Sequence, residues 1–311
     1  MFYIWDNKEN LYVYSSNVML PVINFVMEYE EGSNKIIMFN TGFDEFYNIK
    51  KCEDIKNKKL VYYNFEHKYP IDPNGQMKFC SKNWTDNFNK ILEQYDEIWD
   101  FQIENYEYFV YHKLSNKFRF YPMRYTKWFE QYVKEINPNY DLQFECVVDT
   151  NTRKYMLNVL TNEPCRKFEN GGYETRERIS IKMTNTFNMA LKLNEKNDCK
   201  YGFDFPHYDS PCTINNVRIY EYLCMNKPVI VWDRDKITSR KYFNDLCVWI
   251  DDFTTWNIKQ ETIKTPKNNI SEIFKKMTSS KNDYNFYVYE IVKDYKETKG
   301  ITIPDTSLIV Y

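Results

Sequence analysis

A helix-type pattern, a stop and a strand-type pattern follow one another between residues 217 and 233, and this succession constrains the fold. Apolar side chains recur every three or four positions from Val217 to Cys224, which predicts a helix with one buried face. Pro228 cannot continue that helix, and the run 229–232 behind it is apolar throughout, as in a buried strand. Such a unit is typical of α/β folds.

The same segment carries a cation and a carboxylate at helical spacing. Arg218 and Glu221 lie three residues apart, so both side chains can point from the start of the helix toward one ligand. A cation and a carboxylate suit the phosphate and the ribose of a nucleotide. An ordinary surface ion pair is the alternative, and this segment alone does not decide between the two.

Strand and helix patterns alternate along the rest of the chain, which predicts parallel, doubly wound sheets. Strands are predicted at 2–5, 35–40, 59–65, 97–101, 118–122, 142–148, 189–193, 229–232 and 248–250. Helices are predicted at 18–30, 82–94, 103–113, 153–160, 270–277 and 284–296, with a further unit over 176–188. The polar stop at 137–139 predicts one domain over 1–137, a second over 138–283, and a C-terminal helix and tail over 284–311.

Composition excludes several functional classes. The chain has 311 residues, of which 43% are hydrophobic, enough for two domains with substantial cores. Its net charge of −2 is not that of a dedicated nucleic-acid binder. Neither a G-x-G-x-x-G nor a G-x-x-x-x-G-K-[ST] motif is present, which disfavours dehydrogenases and P-loop ATPases.

The eight cysteines include no C-x-x-C pair, so we expect free thiols and no structural zinc. The first residues turn polar at once, unlike a secretory signal. No run approaches the roughly 20 apolar residues of a membrane helix. These features predict a cytoplasmic protein without a membrane span.

The pair Arg218 and Glu221, followed by Lys227-Pro228-Val229-Ile230, resembles the donor-site segment of GT-B glycosyltransferases. The R-x-x-E form is similar to phage DNA β-glucosyltransferase and to glycosyltransferase-like proteins of large DNA viruses. The resemblance implies two Rossmann-like domains facing a central cleft, with the C-terminal helix packing back toward the first. It assigns Arg218 to the donor phosphates and Glu221 to the ribose. Asn226 stands where the family has glycine.

Two further stretches resemble the same family. Residues 144–153 are similar to the strand, loop and helix that open the donor-binding domain, which implies a phosphate contact for Arg153. Residues 62–66 are similar to the strand that ends in the general base of the phage enzyme, which implies that role for Glu66. The segment around 95–105 resembles one common in the viral proteins.

Glycosyl transfer requires a base for the acceptor hydroxyl and cations for the departing diphosphate. His67 and Asp100 are the alternatives to Glu66 as base. A helix cap, a loop histidine and a strand-end turn residue are the structural alternatives for these three side chains. Lys227 is a third candidate cation, after Arg153 and Arg218.

Two loop features flank the donor-site segment. His207 precedes the helix and can contact the sugar or the diphosphate, although a plain loop histidine is the alternative. Asp233-Arg234-Asp235 forms a D-x-D, the manganese signature of the other large glycosyltransferase fold. Its position after a strand of the second half predicts a solvated loop instead, and hence no metal.

The resemblance therefore predicts a metal-independent glycosyltransferase that needs no cofactor besides its co-substrate. Its donor would be a UDP- or GDP-linked sugar, and its acceptor a hydroxyl of a glycan, a protein or modified DNA. A viral member would act in the host cytoplasm. The alternative is a catalytically degenerate relative that binds a carbohydrate or a partner. A non-glycosyl enzyme acting on nucleotides would need a phosphate loop that the chain lacks.

Overall fold

The chain forms two compact units of mixed α/β structure. The computed structural model describes residues 3–5, 12–13, 20–30, 35–39, 58–64, 82–145, 166–167, 172–174, 180–184, 189–204, 217–232, 243, 246–250 and 269–304. The first unit consists of Met1–Met123 with Val288–Tyr311, and the second of Arg124–Tyr287. The boundaries between the two units therefore lie at 123/124 and 287/288, whereas the sequence predicts a boundary at 137/138.

The described residues form a mixture of helices and strands. The helices are α1 Leu20–Glu30, α2 Lys82–Leu92, α3 Tyr106–Tyr111, α4 Met189–Asn197, α5 Val217–Cys224, α6 Ile270–Thr278 and α7 Lys281–Lys299. Two 3₁₀ helices occupy Ile103–Asn105 and Lys127–Tyr132. The strands are β1 Tyr3–Trp5, β2 Tyr12–Val13, β3 Lys35–Phe39, β4 Lys59–Asn64, β5 Glu97–Asp100, β6 Phe118–Phe120, β7 Tyr140–Glu145, β8 Arg166–Lys167, β9 Gly172–Glu174, β10 Ser180–Thr184, β11 Cys199–Asp204, β12 Val229–Trp232 and β13 Cys247–Ile250.

The sheet of the first unit has the strand order β2-β1-β3-β4-β5-β6 among the described residues. Strands β3 to β6 pair in parallel, and β1 pairs antiparallel with both β2 and β3. Its parallel strands follow one another in chain order, so the order does not reverse among them. The later residues of α7 belong to this unit, where Tyr295 donates a hydrogen bond to Glu107 of α3 at 2.8 Å.

Aromatic side chains fill the core of the first unit. Trp99 and Tyr121 lie with ring centroids 4.7 Å apart, and neither is exposed to solvent. The hydroxyl of Tyr121 donates to the carboxylate of Glu30 at 2.9 Å, and Lys35 pairs with the same carboxylate at 2.8 Å. The hydroxyl of Tyr121 therefore has a partner, which allows this large amphipathic ring to be buried.

The sheet of the second unit has the strand order β13-β12-β11-β7-β10-β9-β8 among the described residues. Strands β10, β7, β11, β12 and β13 are parallel, whereas β8 and β9 add to the edge in antiparallel fashion. Numbered along the chain, the parallel strands have the order 2-1-3-4-5, which is a common doubly wound arrangement. The order reverses at β7.

The structure confirms an α/β fold built on parallel sheets. The prediction of a strand at 189–193 was wrong, because these residues begin α4, while the strand of this region is β10. A short apolar run fits both periods, and here Lys192 and Leu193 face the interior from a helix. Strand β11, with a glycine and a lysine in its six residues, was not predicted.

Long cationic side chains from distant segments complete three helix C-termini. The last carbonyls of a helix have no partner within it, and a cation there also complements the helix dipole. Each of these donors bonds two carbonyls. The donors and acceptors are Lys117 with Glu93 and Tyr95, Lys227 with Asn197 and Cys199, and Arg124 with Thr278 and Ser279.

The described cysteines are buried free thiols, as predicted for them: Cys199, Cys224 and Cys247. Burial raises the pKa of the Cys199 and Cys247 thiols far above its ordinary value. None of the described helices combines the length and the apolar character that a bilayer-crossing helix needs.

Gly202 of β11 allows helix α5 to pack closely on the sheet. A Cβ atom at this position would lie 2.5 Å from the ring of Tyr222, nearer than real contacts allow. That ring is fully buried, and its hydroxyl donates to Gln143 of β7 at 2.9 Å. The Tyr222 side chain is therefore fixed between its contact with β11 and its hydrogen bond to β7.

We expect Gly202→Ala to lower the free energy of unfolding by about 1–3 kcal/mol, because the added methyl overpacks a closed contact. Urea unfolding measures the loss. In a Tyr222→Leu background the same substitution should cost less, since the ring is gone. Equal costs in the two backgrounds would contradict a steric origin.

Candidate functional site

The reversal of strand order in the second unit marks a ligand position. In doubly wound sheets, ligands bind outside the carboxyl ends of the strands where the order reverses. Here that position lies between β7 and β11, which pair in parallel. Glu145 is the last residue of β7 and Asp204 the last of β11, so two carboxylates stand at this edge.

Arg218, in the first turn of α5, reaches the ends of both strands. Its Nη1 atom lies 3.0 Å from Oδ1 of Asp204, and its Nε atom lies 3.8 Å from Oε1 of Glu145. Asp204 is fully buried, whereas 18% of the Arg218 side chain is exposed. Arg218 therefore connects the buried carboxylates of the edge with its surface.

Glu145 and Glu221 share two lysines of α4, and together with Asp204 and Arg218 these side chains form what we term the edge cluster. Lys192 Nζ lies 2.6 Å from Glu145 and 2.9 Å from Glu221. Lys196 Nζ pairs with Glu145 and lies 3.2 Å from Glu221. The cluster thus contains three carboxylates and three cations.

Burial and pairing move the pKa values of the cluster in different directions. For Glu145, burial acts to raise the pKa, but Lys192, Lys196 and Arg218 outweigh it and hold the pKa well below its usual range. Burial likewise acts to lower the pKa of Lys192, and the two glutamates reverse this to a net increase. The pKa of Lys196 is lowered, because it is fully buried and repelled by Lys192.

Lys196 also lies over an aromatic face. Its Nζ atom is 3.6 Å from the centroid of the Tyr222 ring, which attracts a cation to its face. The ring is thus enclosed by Lys196 and by the strand at Gly202. This packing ties the cluster to the contact between α5 and β11.

Arg218 and Glu221, the predicted donor-site pair, both belong to the edge cluster, but they differ in solvent exposure. Only 1% of the Glu221 side chain is accessible, and its carboxylate faces the lysines of α4. The ribose contact of Glu221 stays a prediction, and within the described residues its partners are protein cations.

Lys227 completes the C-terminus of α4. Its Nζ atom donates to the carbonyls of Asn197 and Cys199 at 3.1 and 2.8 Å. Burial lowers the pKa of Lys227. Its predicted phosphate contact is untested, and its observed contacts are with backbone.

Asn226 stands where the GT-B glycosyltransferases that the chain resembles have a glycine, and it adopts a backbone conformation that glycine adopts easily. Its φ of 60° lies in the left-handed region, where asparagine is among the residues tolerated best. The side-chain oxygen of Asn226 accepts the backbone N–H of Ser271 at 3.2 Å. The residue therefore ends α5 and contacts the start of α6.

In the first unit, Asp100 closes the carboxyl end of β5. Its fully buried carboxylate accepts the side-chain N–H of Asn64 at 2.7 Å and the backbone N–H of Gln102 at 2.8 Å. The Nδ2 atom of Asn105 lies 3.1 Å from both carboxylate oxygens. The bond to Gln102, two residues on, is that of an Asx turn. The role of Asp100 as the catalytic base stays a prediction.

Four predicted site residues lie outside the described residues: Glu66, His67, Arg153 and His207. The D-x-D at 233–235 lies outside them as well. Within the part of the chain that is described, no group of three or more His, Cys, Asp or Glu side chains is arranged to hold a metal ion.

Sequence reasoning missed Glu145, Lys192, Lys196 and Asp204 as members of the site. Lys192 and Lys196 are four residues apart, a spacing that indicates one helix face, but the strand assigned at 189–193 hid it. For Glu145 no such signal was available, because the predicted strand ran over 142–148 and placed Glu145 inside it, whereas β7 ends at Glu145.

The sequence matches no model of a known protein family, and no curated protein matches it.

We expect Glu145→Gln to lower the free energy of unfolding at pH 7 by about 3–5 kcal/mol, because two buried lysines lose a charged partner. In the native protein the pKa of Glu145 is lowered. Its contribution is therefore complete above the unfolded-state pKa of about 4.3 and is lost as pH falls toward the native pKa. Urea unfolding between pH 3 and 7 should show a flatter acid limb for the variant.

Glu272→Gln is the control for that experiment. Glu272 is largely exposed and lies 4.0 Å from Lys275, so its loss should cost less than about 0.5 kcal/mol. Equal stability of Glu145→Gln and the native protein at pH 7 would contradict a buried network.

We expect Lys227→Met to lower the free energy of unfolding by about 1.5–3 kcal/mol, because two carbonyls lose a charged donor. Thermal and urea unfolding measure this loss. Unchanged stability would contradict this role of Lys227 at the C-terminus of α4.

Proposed function

We propose that the chain is a metal-independent glycosyltransferase that moves a sugar from a UDP- or GDP-linked donor to a hydroxyl group. The acceptor is a glycan, a protein or modified DNA, and the compartment is the cytoplasm, that of the host if the chain is viral. The second unit binds the donor and the first serves the acceptor. The GT-B arrangement, with both units facing a central cleft, is part of this proposal.

The observation that carries the proposal is the position of Arg218 across the carboxyl ends of β7 and β11. This is where doubly wound sheets hold nucleotides, with phosphate groups close to a helix N-terminus. A guanidinium presents its N–H groups as a planar fork that fits two phosphate oxygens at once. Arg218 combines that chemistry with partial exposure at the expected edge.

The chemistry of glycosyl transfer assigns roles to six of the predicted site residues. As the bond from the anomeric carbon to the diphosphate breaks, negative charge develops on the leaving phosphate, and Arg218 and Arg153 stabilise it. The acceptor oxygen attacks the anomeric carbon while a base removes its proton. Glu66 is the proposed base, with His67 and Asp100 as the other candidates. His207 would contact the sugar or the diphosphate.

The buried position of Glu221 makes Arg218 the main donor contact in this proposal. A ribose hydroxyl could bind Glu221 only if the carboxylate exchanged a lysine of α4 for the ligand. Removing one partner of a buried ion pair costs about 3–5 kcal/mol. The ribose contact would have to offset that cost.

A binding protein without catalysis is the second candidate. The charge balance among the described residues of the edge cluster favours it, since three carboxylates match three cations there. A catalytic diphosphate site ordinarily presents an excess of positive charge. In this alternative the second unit binds a carbohydrate or a partner, and no sugar is transferred.

Thermal unfolding with UDP tests the leading proposal. UDP at 100 times its Kd should stabilise the native protein by about 2.7 kcal/mol and raise its Tm. Arg218→Met should weaken UDP binding at least about tenfold, since phosphate hydrogen bonds to a charged group are lost. Arg218→Lys should lie between the two, because it keeps the charge and loses the fork.

Sugar release from a panel of UDP- and GDP-sugars then separates the two candidates. The transferase hydrolyses one donor slowly without acceptor, and Glu66→Gln should suppress transfer while leaving UDP binding intact. Binding of UDP without hydrolysis or transfer would favour the binding protein. Absence of any nucleotide response, with Arg218→Met equally silent, would refute both the donor site and the transferase.

A further inference from the structure

Asp204 is a buried carboxylate that accepts a hydrogen bond from Arg218. It ends β11, and its neighbour in the sheet is Val231 of β12, so a rigid strand fixes its backbone. Its oxygen lies 3.0 Å from Nη1 of Arg218. Among the described elements, the helix α5 that carries Arg218 is the one that follows β11.

The two carboxylates near Arg218 differ in what they hold. Glu145 lies 3.8 Å from the guanidinium, beyond hydrogen-bond distance, and pairs closely with Lys192 at 2.6 Å. Asp204 bonds the guanidinium directly. Glu145 therefore pairs mainly with the lysines of α4, whereas Asp204 forms a hydrogen bond with Arg218.

A buried ion pair is an inefficient means of stabilising a fold, because apolar residues of similar size often stabilise as well or better. It does fix geometry, however. An unrestrained arginine side chain loses about 2 kcal/mol of rotamer entropy when it is immobilised. An arginine that is already held in the free protein has lost that entropy before a ligand arrives.

We propose that Asp204 is a positioning residue that holds Arg218 for the phosphates of a nucleoside diphosphate. This inference rests on the proposed donor site and adds a residue that acts on the ligand only through Arg218. Asp204 is itself negative and buried, so it does not contact the phosphates.

A double-mutant cycle on the full chain tests this role, with UDP as the probe and calorimetric titration as the measurement. Asp204→Asn keeps the size of the side chain and removes the charge that orients the guanidinium. Its Kd for UDP should rise roughly ten- to thirtyfold, the equivalent of the lost rotamer restriction. In an Arg218→Met background the same substitution should leave the Kd unchanged, because the residue that it positions is absent.

Asp141→Asn is the matched control. Asp141 lies near the other end of the same sheet, in β7, and pairs with Lys200 at 2.7 Å. The variant thus loses an ion pair that is more exposed than Asp204–Arg218 and lies away from the switch point, and its Kd for UDP should equal that of the native protein. A similar loss of affinity in Asp141→Asn would show that general destabilisation, and not positioning, weakens binding.

The outcomes separate this inference from the donor site itself. If Arg218→Met weakens UDP binding while Asp204→Asn binds like the native protein or tighter, Asp204 is only a counter-ion and the inference is overturned. If the native protein does not bind UDP or GDP, the donor site and the inference fail together. Should Asp204→Asn not fold, Asp204→Glu keeps the buried charge but displaces the guanidinium, and native affinity in that variant would overturn the inference.

Discussion

Buried charge in the second unit is held by pairing, and the arrangement of its elements depends on that pairing. Glu145 at the end of β7 and Glu221 on α5 share the two lysines of α4. The lysines and the glutamates of this network lie on different elements, the lysines on α4 and the glutamates on β7 and α5. A strand and two helices must therefore be correctly docked before all four ions are compensated, since an unpaired buried ion costs several kcal/mol.

Much of the fold was predictable from local pattern. Strand β12 and helix α6 lie close to where periodicity placed them, because each combines a clear apolar period with a terminating signal. The prediction for the start of the segment 189–197 was wrong because its apolar residues fit a strand as well as a helix. In addition, Lys192 would be expected to face solvent, but it is buried against glutamates of other elements. Such a burial is a tertiary property that no local window contains.

Part of the edge cluster could be selected from local pattern. Arg218 could be selected from the sequence because it begins a helix after a predicted loop, a position that chemistry favours for anion binding. The surroundings of Glu221 could not be predicted from the sequence, since they depend on which helix packs beside α5. The strand order determines which carboxylates lie near Arg218. Only the pairing of β7 with β11 brings the carboxyl ends of two strands distant in sequence beneath one arginine.

The cationic side chains at the helix C-termini bear on how the chain acquires its structure. Lys227 reaches carbonyls 28 and 30 residues earlier, and Arg124 reaches carbonyls 154 and 155 residues later. The final turns of α4 and α6 thus gain their donors only after long loops have closed, a step that slows folding as sequence separation grows. The last turn of α4 therefore lacks these donors until the segment that carries Lys227 has docked. Native-state hydrogen exchange would reveal these turns as opening together with the segments that supply their donors.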